Sequence, residues 1–295
     1  MAGGLKEVRE RIVSVQNTKQ ITSAMKMVSA SKLRRAQDAI TRMRPYAEKI
    51  QAILTNVSST LDSSTGVFSE ERKIQTALIV VITSNRGLCG GFNNNSIKIA
   101  NTSILKHKNN GSNVVVLPLG KKAFETLERN GEKFADGFGD ASLRVFDNLN
   151  FDYTSGIAQL IMDGYISKKW DLVEIVYSQF KNAAVQIPTQ EDFLPILESE
   201  NPKEASVSSC DYIFEPTKEE IIENILPSAL KTQLYKALLD SNAAEHGARM
   251  TAMHSATENA GDLLQDLKIS YNKARQASIT TEILEIVAGS EALGA

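Results

Sequence analysis

Apolar residues between Leu5 and Leu61 fall on two interleaved sets spaced by seven: 5, 12, 19, 26, 33, 40, 47, 54, 61 and 8, 15, 22, 29, 36, 43, 50, 57. Thirteen of these seventeen positions are apolar, against about seven expected from a 42% hydrophobic content. The pattern predicts one long coiled-coil helix over 1–61. Its exceptions are consecutive: Lys19, Thr22, Lys26 and Ser29. Apolar residues at Ile21, Met25 and Val28 in the same window imply that the seam is locally re-phased. At the other end of the chain, Thr217-Lys218-Glu219-Glu220 has the form of a capping box, and no proline follows Pro227. A 3-4 spacing through Ala256, Ala260, Leu263, Leu267, Ser270, Ala274, Ala277, Thr281, Leu284 and Ala288 predicts a second long helix, within 212–295. Seven of those ten residues are Ala, Ser or Thr, so a partner helix can approach closely. Gly247, Gly261 and Gly289 each oppose the helix by about 1 kcal/mol relative to Ala.

The periodicity changes between these ends. Ile74 to Thr83 centres on an uninterrupted apolar run, the signature of a strand buried on both faces. Asn113 to Leu119, Trp170 to Phe180 and a shorter stretch at Ala183 to Ile187 read as further strands. Asn93 to Lys108, Lys121 to Arg129 and Thr154 to Lys168 read as helices. Strands alternating with helices predict a mostly parallel sheet in a Rossmann-like α/β domain over 73–197, with linkers at 62–72 and 198–211. The fold class is therefore α/β: a long antiparallel coiled coil of the terminal helices plus that domain. Antiparallel pairing follows because both helices join the same middle domain. At 1.5 Å per residue they measure about 90 and 120 Å, so the second one overhangs. The overhanging end, Ile283 to Ala295, has no basic residue and needs an apolar receptor.

Composition narrows the class. The longest apolar run, Ala77 to Ile82, is far below the roughly 20 residues of a membrane-spanning helix, so no direct membrane insertion is expected. Two distant cysteines, Cys89 and Cys210, and a start without an apolar signal core point to a reducing compartment. Net charge is −2 overall, but Met1 to Ile50 carries 11 Lys/Arg against 4 Asp/Glu. This basic face suits nucleic acid through counterion release, or an acidic protein partner. Commitment of the seam to packing, and the absence of any aromatic residue before Tyr46, argue against nucleic acid.

Candidate chemistry is thin. Ser84 to Gly91 is glycine-rich and lies between a strand and a helix, where phosphate can be cradled. It lacks G-x-G-x-x-G, and the Gly-Lys-Ser/Thr of a P-loop is missing both here and at Gly120-Lys121-Lys122. A tight turn with Arg86 on the surface is the plainer reading. Cys89 has no histidine or acid to activate it, which fits a small buried side chain. His254 and Glu258 share a helix face as a solvated pair, and no metal-ligand spacing occurs. Glu219, Glu220 and Glu223 suit a helix dipole. No catalytic, cofactor or metal residue is expected.

Three separated motifs carry a resemblance. Ser14-Val15-Gln16-Asn17-Thr18, Ile21-Thr22, Ala24-Met25-Lys26-Met27-Val28 and Ala30-Ser31-Lys32 form the first, and Arg86-Gly87-Leu88-Cys89-Gly90-Gly91 the second. The third is Asn272, Ala274 to Thr280, Glu282, Glu285-Ile286-Val287 and Gly289. Together they resemble the gamma subunit of rotary F-type ATP synthases, bacterial type. Asn85 and Gly289-Ser290 depart mildly, from Asp and Gly-Ala. The resemblance implies a non-catalytic central-stalk rotor coupling proton-driven rotation to ATP synthesis. Its implied partners are three alpha and three beta subunits, an epsilon subunit and the membrane c-ring, at the cytoplasmic face of a bacterial inner membrane. It implies coupling contacts at Met25, Arg275, Gln276, Thr280, Glu282 and Glu285; the basic window adds Lys19, Lys26 and Lys32, expected to face acidic loops of beta. The competing readings are a stand-alone Rossmann-like enzyme for a phosphorylated ligand and a coiled-coil nucleic-acid clamp.

Overall fold

A computed structural model describes residues 2–58, 68, 72–196 and 218–293. Helix α1 spans Ala2–Ser58. Strand β1 (Thr76–Ile82), α2 (Phe92–Asn109), β2 (Asn113–Leu119) and α3 (Lys121–Arg129) follow, then a 3-10 turn at Gly139–Ala141, α4 (Phe151–Ile166), β3 (Leu172–Phe180), β4 (Gln186–Leu194) and α5 (Lys218–Leu293). The expected linkers, apart from Phe68 and Arg72, lie outside the described residues, as do Cys210 and the Thr217 cap. Pro45 and Pro227 lie inside α1 and α5 without ending them. The chain divides into two compact units, residues 1–30 with 249–295, and residues 31–248. Both long helices contribute to each.

The larger unit is built on a four-stranded sheet in the order β2-β1-β3-β4. β1 runs parallel to β2 and β3, with Ala77 opposite both Val114 and Leu172. Alternate residues of β1 feed two cores, because successive side chains of a strand point to opposite faces. Leu78, Val80 and Ile82 pack with Ile157, Ile161 and Met162 of α4 and Leu230, Leu234 and Leu238 of α5. Ile79 and Val81 pack with Ala100 and Ile104 of α2 and Ala123 and Leu127 of α3. This two-sided cover explains the continuous apolar run of β1.

Two contacts depend on glycine. Gly164 of α4 lies flat against the Trp170 indole, so a Cβ there would collide with the ring, whose Nε1 donates to the Ile161 carbonyl at 3.0 Å. Gly247 lets α5 approach the turn between β3 and β4, where a Cβ would stand 3.3 Å from Ala183 Cα.

β4 corrects the expected boundary. The short strand anticipated at Ala183 to Ile187 is instead the Asn182-centred turn, whose Oδ1 accepts from the amides of Ala184 and Val185. The strand proper starts at Gln186 and pairs antiparallel with β3. Pro188 and the polar run Gln190-Glu191-Asp192 resemble linker composition because β4 is an edge strand, where proline and charge are tolerated.

In the smaller unit, residues 2–30 of α1 run antiparallel to residues 249–293 of α5. Lys26 Nζ meets His254 Nδ1 at 3.2 Å, the hydroxyls of Thr22 and Thr257 are 2.8 Å apart, and Arg9 donates to the Tyr271 hydroxyl at 2.8 Å. Residues rising in number on one helix thus meet residues falling on the other.

The expected re-phasing of the α1 seam does not occur. Thr22 and Ser29 are buried, while Ile21 and Val28 are about 60% exposed. The heptad runs straight through because the flanking apolar positions fix the helix phase, and each polar seam residue finds an outlet. Thr22 pairs with Thr257, and Ser29 Oγ donates to the Met25 carbonyl at 2.8 Å. Lys19 lies over Gly261, with its Nζ and Cε the atoms nearest that glycine.

The α5 stripe needs a similar correction. Ala256, Ala260, Leu267, Ala274 and Thr281 are buried or half-buried as expected, but Leu263, Ser270, Ala277, Leu284 and Ala288 are exposed. Met253, Thr257, Leu264, Tyr271 and Ser278 occupy the alternate seam places. Small and polar residues on both sides of the stripe left the phase ambiguous; Tyr271, amphipathic enough to pack while bonding Arg9, is the clearest example.

Candidate functional site

Two places could carry function: the glycine-rich turn after β1 and the outer surface of the α1–α5 pair. In the turn, Leu88 and Gly90 adopt φ of +62° and +59°, which brings Cys89 inward beneath α2. Ser84 N–H donates to Asn93 Oδ1 at 3.0 Å, Asn93 Nδ2 donates to Cys89 Sγ at 3.2 Å, and Ser84 Oγ lies 2.6 Å from the Arg86 carbonyl. Cys89 is 2% exposed, packed with Phe92, Ala244 and Ala248. It is an interior side chain, as expected, and its thiol does not face solvent.

The neighbouring helix start is equally closed. The first amides of α3 at Lys121, Lys122 and Ala123 donate to Asn85 Oδ1, the Ser84 carbonyl and Thr83 Oγ1, at 3.1, 3.2 and 2.8 Å. Gly120, at φ +120°, has no room for a Cβ beside the Thr83 carbonyl. The donors that could hold a phosphate are thus engaged by the protein's own oxygens. Arg86, Gly87 and Leu88 form the exposed tip of this turn.

Sequence spacing missed one buried polar cluster. Glu174 of β3, 3% exposed, accepts from Ser103 Oγ on one oxygen, and its other oxygen is 2.9 Å from His107 Nε2 on α2. These residues are 67 to 71 positions apart, so only the α2–β3 packing joins them. Both oxygens of Glu174 are thus engaged by residues of α2, which makes the cluster an internal fastener of that helix. Among the described residues, no group of three or more His, Cys, Asp or Glu could hold a metal ion, and no helix is long and apolar enough to cross a membrane.

On the helical pair, Met25, Lys19 and Lys26 are half-buried and Lys32 is exposed. His254, expected to be one of a solvated pair, sits 3.6 Å from Glu258 but also reaches across to Lys26. Arg275, Gln276, Thr280, Glu282 and Glu285 are exposed on α5. These two groups are not brought together: Lys26 lies opposite His254, and Arg275 is fourteen residues beyond Gly261, about 21 Å farther along the helix. The outer surface also carries exposed Val13, Ile21, Met27 and Val28 on α1 and Ile269 and Ile279 on α5. From Glu282 to Ser290 every residue is exposed, including Ile283, Leu284, Ile286 and Val287.

A pair of long antiparallel helices with an exposed apolar end, joined to an α/β unit whose glycine-rich turn is closed, fits a shaft-bearing subunit of a larger assembly. The family model described as ATP synthase matches residues 4–293. The chain is 53% identical over 292 residues to the ATP synthase gamma chain of Flavobacterium psychrophilum, and 43% identical over 289 residues to that of Geobacter metallireducens, with 98% of each chain covered. It therefore belongs to the ATP synthase gamma-chain family. Among solved structures, a chain of the Tetrahymena thermophila mitochondrial ATP synthase central stalk and c-ring matches at 25% identity and a TM-score of 0.56, covering 80% of this chain and 99% of that one. A chain of the Euglena gracilis mitochondrial ATP synthase shares the fold, with a TM-score of 0.63 at 21% identity over 99% of this chain and 95% of that one.

Proposed function

We propose that this chain is the central-stalk rotor of an ATP synthase, coupling proton-driven rotation of a membrane ring to ATP synthesis in a surrounding ring of three alpha and three beta subunits. The observation that carries the reading is the run of exposed apolar residues at the end of α5. Ile283, Leu284, Ile286 and Val287 cost solvation in isolation and suit an apolar sleeve in which a shaft end turns. The catalytic sites belong to the beta subunits, and the gamma chain is non-catalytic. Its closed Ser84 to Gly91 turn and engaged α3 amides disfavour the alternative of a phospholigand-binding enzyme.

The division of labour follows the sequence reading. Residues 1–61 and 212–295 form the shaft, 73–197 the α/β domain that bears on the epsilon subunit and the c-ring, and 62–72 and 198–211 the linkers. Met25, Lys32, Arg275, Gln276, Thr280, Glu282 and Glu285 contact alpha and beta. Lys19 and Lys26, half-buried at the seam, complete the basic window that faces acidic loops of beta. An asymmetric shaft biases each beta site in turn among states of different nucleotide affinity, a coupling free energy between distant sites. The subunit works as a peripheral protein at the cytoplasmic face of a bacterial inner membrane. Affinity purification of the tagged chain from its own cells should bring down alpha, beta and epsilon together, and membranes lacking the chain should lose proton-driven ATP synthesis. Recovery of the chain alone, with synthesis intact in its absence, would overturn the reading.

A further inference from the structure

Lys26 and His254 join the two helices of the pair through a contact that only one state of the ring allows. Lys26 Nζ lies 3.2 Å from His254 Nδ1. An ammonium group has donors but no acceptor, and a ring nitrogen that carries a proton cannot accept. Nδ1 is therefore bare, the ring is neutral, and its N–H sits on Nε2. That nitrogen is 3.6 Å from Glu258 Oε1, one turn farther along α5. From α1 the ring thus faces Lys26, and from its own helix Glu258; the next basic side chain of α1, Lys19, ends beside Gly261, farther along α5. The His254 side chain is 50% exposed, so solvent protons reach the ring directly. The adjoining contact is of another kind, since the hydroxyls of Thr22 and Thr257 meet at 2.8 Å and neither is ionisable.

We propose that His254 is a positioning residue for Lys26: the neutral ring holds the ammonium across the seam, and a proton on Nδ1 releases it to solvent. Histidine side chains change charge between about pH 5 and 8. Once Nδ1 is protonated, a donor faces a donor and two cations stand at hydrogen-bond distance, so attraction becomes repulsion. Glu258, one turn away on the same helix face, favours keeping the imidazolium on α5. Lys26 is then the side chain that moves, on a flexible four-carbon stem. The Thr22–Thr257 contact does not titrate, so the helices stay paired while one side chain changes place. Lys26 also belongs to the basic window assigned above to acidic loops of beta. Its release in weakly acidic solution strengthens that contact, a consequence that rests on the rotor reading, whereas the latch between Lys26 and His254 belongs to this chain alone.

The test is a double-mutant cycle on the full-length chain: the parent, Lys26→Met, His254→Leu and the two combined, melted at about pH 8 and about pH 5 with helical circular dichroism as the signal. At the alkaline end, Lys26→Met should lower the melting temperature by about 1–3 °C more when His254 is present than when it is replaced, the scale of an exposed polar pair in a chain of this size. At the acid end the order should reverse, because the same substitution then removes a repulsion. Nitrogen NMR of the ring-labelled chain at the alkaline end, with His254→Leu assigning the signal, should find the proton on Nε2 and none on Nδ1. A cycle difference of one sign at both ends, no difference at either, or a proton on Nδ1 at the alkaline end would overturn the proposal. Neither measurement involves alpha or beta, so failure here leaves the rotor reading standing, and loss of the rotor reading leaves the latch.

Discussion

Gly164 shows how far a single residue can depart from its intrinsic tendency. Glycine inside a helix is usually about 1 kcal/mol worse than alanine, so Gly164→Ala would stabilise α4 if the helix stood alone. Against the Trp170 ring the added methyl has no space, and overpacking of this kind costs about 1–3 kcal/mol. The variant should unfold at lower denaturant concentration, followed by the fluorescence of Trp170, the chain's one tryptophan. The Glu174 cluster makes a second case. Removing His107 leaves the Glu174 carboxyl group at 3% exposure with one of its two contacts gone, and leaving a buried polar group without its partner costs about 1–3 kcal/mol. His107→Ala should therefore lower stability by more than Glu174→Gln combined with His107→Ala, a comparison that urea melts of the three variants can make. Neither feature shows in local sequence, because each depends on residues brought together by tertiary packing.

Elements were legible where punctuation and periodicity agreed. Asn113 to Leu119 and Lys121 to Arg129 match β2 and α3 to the residue, since an apolar valine run ends at a glycine that must turn the chain. β4 was legible only in part, because an edge strand half-open to water carries proline and charge. The seam of the coiled pair was found on α1 but half-misplaced on α5, where small residues border both candidate stripes. Motifs alone singled out Arg275, Gln276, Thr280, Glu282 and Glu285, which are exposed on α5, whereas the cross-helix contacts of Lys19 and Lys26 needed the partner helix. The corrected seam makes a sharp contrast. Ala260→Leu fills a buried place and should cost about 1–3 kcal/mol, while Ala277→Leu, on the exposed side, should stay within about 0.5 kcal/mol. Circular dichroism melts of both variants decide between the two phases. Replacing Thr22 and Thr257 together by Val should leave the pair as stable or more so, because a hydrogen bond exchanged for apolar groups of the same shape leaves no orphan; a clear loss in the same melts would show that the hydroxyl contact holds the register.

At the scale of the whole molecule, folding and function draw on different residues. The apolar cores flanking the sheet and the seam hold the chain together, whereas Ile283, Leu284, Ile286 and Val287 contribute nothing to either. Leu284→Asp with Ile286→Asp should accordingly leave the melting of the isolated chain unchanged and reduce ATP synthesis in membranes that carry the variant; parallel measurements of both separate a docking surface from a folding one. The coiled pair also joins the two ends of the chain. Arg9 finds Tyr271 across 262 positions, and a ribosome adding about 5–20 residues per second needs roughly 13–50 s to cover that distance. Throughout that interval α1 has been made and its partner has not. The Leu5, Val8, Ile12 and Val15 stripe then has only water or another unfinished chain to meet, so the slow step in making this protein is a wait imposed by translation, and the polysome is where a companion that shields the nascent helix has the most to protect.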